Sequence, residues 1–262
     1  MEKETSTDVV KKEKGGALAA SIFESDAAAG LSNIGHEDLA LPFLKILGQL
    51  SPETNKRDGK YVEGAEPGMI YSANLGSLID GEKGVDITVA YSQTRWPEWQ
   101  EKGEGSSAPV ATHMNPPSDA QEEIRGIKYR LSNGNYVEKT IYFYVIAMVD
   151  GTPRKAVMTM RSSNLTPARD LNNKLMNLKA QDDKGSFQAP TFMGVFKLKT
   201  AAKNAGDKSW HVYKPTFVRM LDTSVETDAS LFKMGAEFQE QVSKGTAKPK
   251  YEKVEQPKED IA

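Results

Sequence analysis

Three groups of residues in this sequence carry flat rings, two of them beside cationic side chains, the chemistry that grips a phosphate chain and stacks its bases. The first is Arg95-Trp96-Pro97-Glu98-Trp99, two indoles around a proline beside a guanidinium. An indole face stacks on a base, and an arginine pairs with phosphate or lies against a ring. The competing reading is that one or both tryptophans plug the end of a β-structure. The second is Tyr142 and Tyr144, two residues apart and so on one face of a strand, as in sheets that present stacking platforms. Ile146 and Met148 continue that face while Ile141, Phe143, Val145 and Ala147 fill the other, so a central strand buried on both sides competes. In the third group Lys197 and Lys199 share one face of a strand, and Lys208, Trp210 and Lys214 share one face of the next. If those faces coincide, they make a lysine-rimmed surface around one indole. The plain alternative is a solvated sheet edge guarded by lysines. Arg161, Arg169 and Lys174 extend the same positive stretch, with Arg169 and Asn173 one turn apart on the polar side of a helix.

Charge along the chain agrees with the third group. From Arg154 to Arg219 there are 13 Lys/Arg and 4 Asp/Glu, a local net of +9 in a chain whose total is −2. The sequence pI near 6.0 hides this segregation. A concentration of one sign in one stretch raises the local potential enough to attract a polyanion. Other chemistries find little support. Without cysteine there is no disulfide, thiolate nucleophile or zinc–cysteine site, and a reducing cytoplasm is the expected setting. Gly81-Glu82-Lys83-Gly84 does not match a phosphate loop, no Gly-x-Ser-x-Gly elbow occurs, and His36, His113 and His211 lie far apart without ligand spacing. Scattered carboxylates alone do not make a magnesium nuclease, so no enzyme, cofactor or metal is expected. No apolar run reaches the ~20 residues that span a bilayer, so no membrane partner is expected.

The elements that must position these residues are mostly strands. Val85–Tyr91 alternates, with Val85, Ile87, Val89 and Tyr91 pointing one way. Glu101–Ala120 reads as a long loop. Asn133-Gly134 and Asp150-Gly151 are tight-turn signals around the β-rich run Tyr136–Val149, and Lys155–Met160 follows. Thr166-Pro167 opens a helix with Thr166 at the N-cap and Pro167 at N1, and Leu171, Leu175 and Leu178 on one stripe. Strands at about 191–200 and 209–218 flank a turn at Lys203–Lys208, and a last helix covers about 228–242. The pattern predicts a mainly β fold with α additions: an OB-like antiparallel barrel or a sandwich with long insertions, one internal helix and a C-terminal helix. Residues 37–244 form one β-rich domain between a flexible arm at 1–36 and a disordered tail at 245–262.

Leu41-Pro42-Phe43-Leu44-Lys45-Ile46, Ser51-Pro52 and Tyr61-Val62-Glu63-Gly64-Ala65-Glu66-Pro67-Gly68-Met69-Ile70 resemble a group of tailed-bacteriophage proteins, as do Trp96-Pro97-Glu98-Trp99 and Ser162-Ser163-Asn164-Leu165. The resemblance covers about 39–215. It implies a phage single-stranded DNA-binding protein with an OB-type core, acting in replication or recombination in the host cytoplasm. It also implies a C-terminal tail that engages replication or recombination proteins. Such tails are commonly strongly acidic, whereas here Lys258-Glu259-Asp260-Ile261-Ala262 closes a tail with four lysines against four acids. The function expected is sequence-tolerant coating of single-stranded DNA without catalysis. The alternative is a phage structural or host-interaction protein whose positive patch meets an acidic protein.

Overall fold

The computed structural model describes residues 41–72, 76–101, 108–182, 185–247 and Pro249. The expected arm at 1–36 and most of the expected tail lie outside the described residues. In chain order the strands are β1 (Phe43–Ile46), β2 (Ile70–Ser72), β3 (Ser77–Ile79), β4 (Val85–Trp99), β5 (Ala111–His113), β6 (Gln121–Ile124), β7 (Lys128–Arg130), β8 (Tyr136–Glu138), β9 (Thr140–Val149) and β10 (Thr152–Arg161). A 3-10 turn at Ser162–Asn164 leads into α1 (Leu165–Met176). Then come β11 (Lys179–Asp182), β12 (Gly185–Gln188), β13 (Gly194–Ala205), β14 (Lys208–Met220) and α2 (Glu226–Ser243). The fold is mainly β, of the barrel or sandwich class, with one internal and one C-terminal helix.

Hydrogen-bonded neighbours run β3-β2-β1-β10-β9-β4, and β13 with β14 joins on the other edge of β4. The pairs are antiparallel except β1 with β10, where Phe43 and Leu44 face Val157 and Met158 in parallel. The sheet curls back on itself: Tyr213 Oη on β14 donates to Leu44 O on β1 at 2.8 Å. Thr200 on β13 binds the carbonyls of Gly68 and Gly81, through its hydroxyl at 2.6 Å and its N–H at 2.8 Å. Gly81 is required there, since an added Cβ would lie 2.1 Å from both Gly68 O and Thr200 Oγ1.

The alternation of β9 puts one apolar set on each face, and both are buried. Phe143 and Val145 join Ile87, Met158, Phe196 and Leu198 inside, where α1 adds Leu171 and Leu175. Tyr142, Tyr144 and Ile146 face the other way and are covered by Phe238 and Val242 of α2. Asp150 and Gly151, with φ of 49° and 75°, make the tight β9–β10 turn that the Asp-Gly pair signals.

Five local readings are corrected. The strand read as Val85–Tyr91 continues to Trp99, because a bulge between Val89 and Tyr91 shifts the register and breaks the alternation that marks it. The same bulge turns Tyr91 away from Val85, Ile87 and Val89, to pair with Tyr144. α1 starts one residue before Thr166, with Asn164 at the N-cap, and Asn164 Oδ1 accepts the Tyr213 N–H at 2.8 Å. The loop expected at Glu101–Ala120 holds β5, which pairs with Trp96, Pro97 and Glu98. Of the expected tail, Ala247 is buried against the α2 cluster and Pro249 bridges to Leu41.

Candidate nucleic-acid interface

The β13–β14 hairpin turns on Gly206-Asp207, a two-residue loop with Gly206 at φ 56°. That loop fixes the register, and directly paired residues share a face. Lys197 stands opposite Thr216, Lys199 opposite Lys214, Ala201 opposite Val212, Lys203 opposite Trp210, and Ala205 opposite Lys208. The two lysine-bearing faces therefore coincide, and one surface of the hairpin carries Lys197, Lys199, Lys203, Lys208, Trp210 and Lys214.

The hairpin and α1 enclose a cleft of about 740 Å³. Its helix side is lined by Ser163, Thr166 and Asp170, and its hairpin side by Lys203, Trp210 and Lys214. Lys174 Nζ bridges the two sides: it donates to Asp170 Oδ2 at 2.7 Å and to Pro215 O at 3.0 Å. Lys197 is held by Asp86 at 2.7 Å. Lys199, Lys203, Lys208, Lys214 and Arg169 are exposed, and among the described residues none of them forms an ion pair. Trp210 is half-buried, and its Nε1 is enclosed without a hydrogen-bond partner among the described residues.

The other sequence-predicted residues lie at the far end of β4, β9 and β10. Tyr142 and Tyr144 are each 2% exposed beneath α2 and offer no stacking face, because both faces of β9 are covered. Burial pushes the Tyr144 hydroxyl up to about 12, against a hydrogen bond from Gln93 Nε2 at 2.7 Å. Trp96, 7% exposed, is packed with Leu131 and Val137 and meets Tyr129 edge-on at 5.4 Å. These three rings are withdrawn from the candidate surface. Trp99 is half-buried with the Arg161 guanidinium 4.8 Å over its ring, and Arg161 also lies 3.5 Å from Glu138. Burial raises the Glu138 carboxyl above its ordinary value, and Arg161 opposes that shift. Arg95 is half-buried and donates to the neighbouring Thr94 carbonyl at 2.9 Å. Ser162 and Ser163 link Arg161 to the cleft, since Ser163 lines it.

Sequence reasoning left out Lys203, Asp170, Ser163 and Thr166. Lys203 was recoverable: counting back from a Gly-Asp loop places it opposite Trp210. The helix-side residues carry no pattern of their own and are brought to the cleft by how α1 docks. Among the described residues no three His, Asp or Glu are placed to hold a metal ion, and no helix is long and apolar enough to cross a membrane.

No curated protein and no solved structure matches the chain. Residues 12–248 match the family described as Pam3 phage gp34-like protein, which bears out the kinship with phage proteins. The match covers nearly the whole chain, so this protein belongs to the Pam3 phage gp34-like family.

Proposed function

We propose that this protein is a non-catalytic single-stranded DNA-binding protein, coating exposed strands in the host cytoplasm during phage DNA replication or recombination. The observation that carries the reading is the in-register face of the β13–β14 hairpin. Four lysines without ion pairs among the described residues surround a half-buried indole there, beside an open cleft. Cations spaced along a strand follow a phosphate backbone, and a flat ring among them stacks a base whatever its identity. The resemblance to phage single-strand binders, with the OB-type core it implies, supports the same reading.

The test is titration of labelled oligo-dT by fluorescence anisotropy across a range of salt. Each phosphate contact on a single strand contributes about −0.7 to the slope of log affinity against log salt, so four lysines give a slope of about −3. No binding at low salt sinks the proposal. A partner that stays bound after nuclease treatment of the native complex, with no oligonucleotide affinity, points instead to an acidic protein on the same lysines.

A further inference from the structure

The two sides of the cleft differ in chemistry. The hairpin contributes cations and a ring, Lys203, Lys214 and Trp210; α1 and the turn before it contribute Ser163, Thr166 and the ion-paired Asp170 and Lys174. The space between, about 740 Å³, is within the range of pockets that enclose small organic groups. A nucleotide with its phosphate on the lysines and its base along Trp210 would have the α1 side of the cleft within reach of its hydrogen-bonding edge.

Among the described residues, Asp170 is the one carboxylate lining that cleft. Lys174 fixes it from one side, taking Oδ2 at 2.7 Å while anchored to Pro215 O on β14. Asp170 Oδ1 makes no hydrogen bond among the described residues. A carboxylate in an ion pair only accepts hydrogen bonds. Cytosine presents an amino donor at N4, where thymine presents the O4 acceptor. An acceptor-only group therefore attracts one pyrimidine edge and repels the other.

We infer that Asp170 is a base-selecting residue of this cleft, which takes amino-bearing bases, cytosine among the pyrimidines, in preference to thymine. This rests on the reading of the cleft as a single-strand site. The selecting group sits on a helix and is braced by an ion pair, so it is positioned before the strand arrives.

The experiment compares oligo-dC with oligo-dT of equal length as competitors for one labelled strand, using the full chain and its Asp170→Asn variant at one low salt concentration. The Asp170 side chain is 56% exposed, so the near-isosteric change leaves the fold in place. Wild type is expected to favour oligo-dC about three- to tenfold, one partly solvated charged hydrogen bond. In Asp170→Asn the amide can turn its NH2 toward thymine O4, and the loss of a negative charge strengthens both strands. The dC:dT ratio should therefore fall at least threefold while absolute affinity rises. An unchanged ratio between the two proteins overturns the inference and leaves strand binding standing. If neither protein binds either oligonucleotide, the single-strand reading fails, and the inference with it.

Discussion

The three tryptophans have three different surroundings, and only one of them lies in the cleft. Trp96 and Trp99 are three residues apart on β4, an odd spacing that sends their side chains to opposite faces of a strand. Trp96 goes into a small apolar cluster, and Trp99 lies under Arg161. That split was legible in the spacing once the strand was known to run through Pro97; which indole went inward depended on β7 and β8. Trp210 remains, half-buried with an enclosed N–H that has no partner among the described residues. Burying an unbonded donor costs about 1–3 kcal/mol, so exchanging the indole for phenyl should not weaken the fold. Trp210→Phe is therefore expected to melt no lower than wild type. Its remaining two indoles should show no quenching when an oligonucleotide binds, whereas the wild-type signal falls. Affinity should drop by less than the roughly 1–3 kcal/mol seen when a stacked ring is removed outright, because phenyl still stacks. Quenching of equal size in the variant would assign the stacking to Trp99 instead.

β4 organises the molecule, and its two halves were unequally readable. Val85, Ile87 and Val89 show a period of two; beyond them the bulge shifts the phase and the pattern fades from the sequence, although the ladder to β9 continues to Arg95. The strand's end is held by Glu98, a buried carboxylate whose Oε1 accepts from Asn135 Nδ2 at 2.6 Å and Asn133 Nδ2 at 3.1 Å. Its Oε2 lies 2.8 Å from His113 Nε2 on β5. Asn133 was legible as a turn residue, but its second role, bonding a carboxylate 35 residues upstream, exists only in the folded sheet. The Asn135 amide, together with His113 and Asn133, holds the Glu98 carboxyl below its ordinary value of 4.5 against the cost of burial. A carboxylate with a depressed folded-state value stabilises the fold above its unfolded value, and that stability is lost as pH falls through the folded value. Glu98→Gln should therefore cost about 1–3 kcal/mol in urea unfolding at neutral pH. The gap to wild type should shrink as pH falls below the ordinary carboxylate value, because wild type then comes to protonate the same group. A gap that stays constant between the two conditions would mean that shape, not charge, joins β4, β5 and β8.

At the scale of the whole molecule, the charge count overstates how much of the positive stretch is free. Lys197 is paired with Asp86 from before the stretch, Arg219 with Asp228 from after it, and Lys174 with Asp170 within it. No sequence count discloses such pairings, because two of the three acids come from the flanking acidic segments. Once those cations are set aside, Lys199, Lys203, Lys208 and Lys214 remain on the hairpin, with Arg169 on α1. Arg161 belongs to a different environment: its guanidinium stacks on Trp99 and faces the half-buried Glu138. Charge reversal at the two places should accordingly give opposite signatures. Lys203→Glu combined with Lys214→Glu removes two exposed cations from the cleft and adds two anions, so oligo-dT affinity at low salt should fall by about tenfold or more, with the melting temperature unchanged. Arg161→Glu sets a second carboxylate against Glu138 and takes the cation from Trp99, so the melting temperature should fall. Its effect on affinity should stay within about threefold, since a screened charge outside the phosphate path contributes little. Equal losses of affinity from the two variants would extend the strand's path from the cleft across Ser162 and Ser163 to the far end of β10. The arginine there would then serve the nucleic acid as well as the fold.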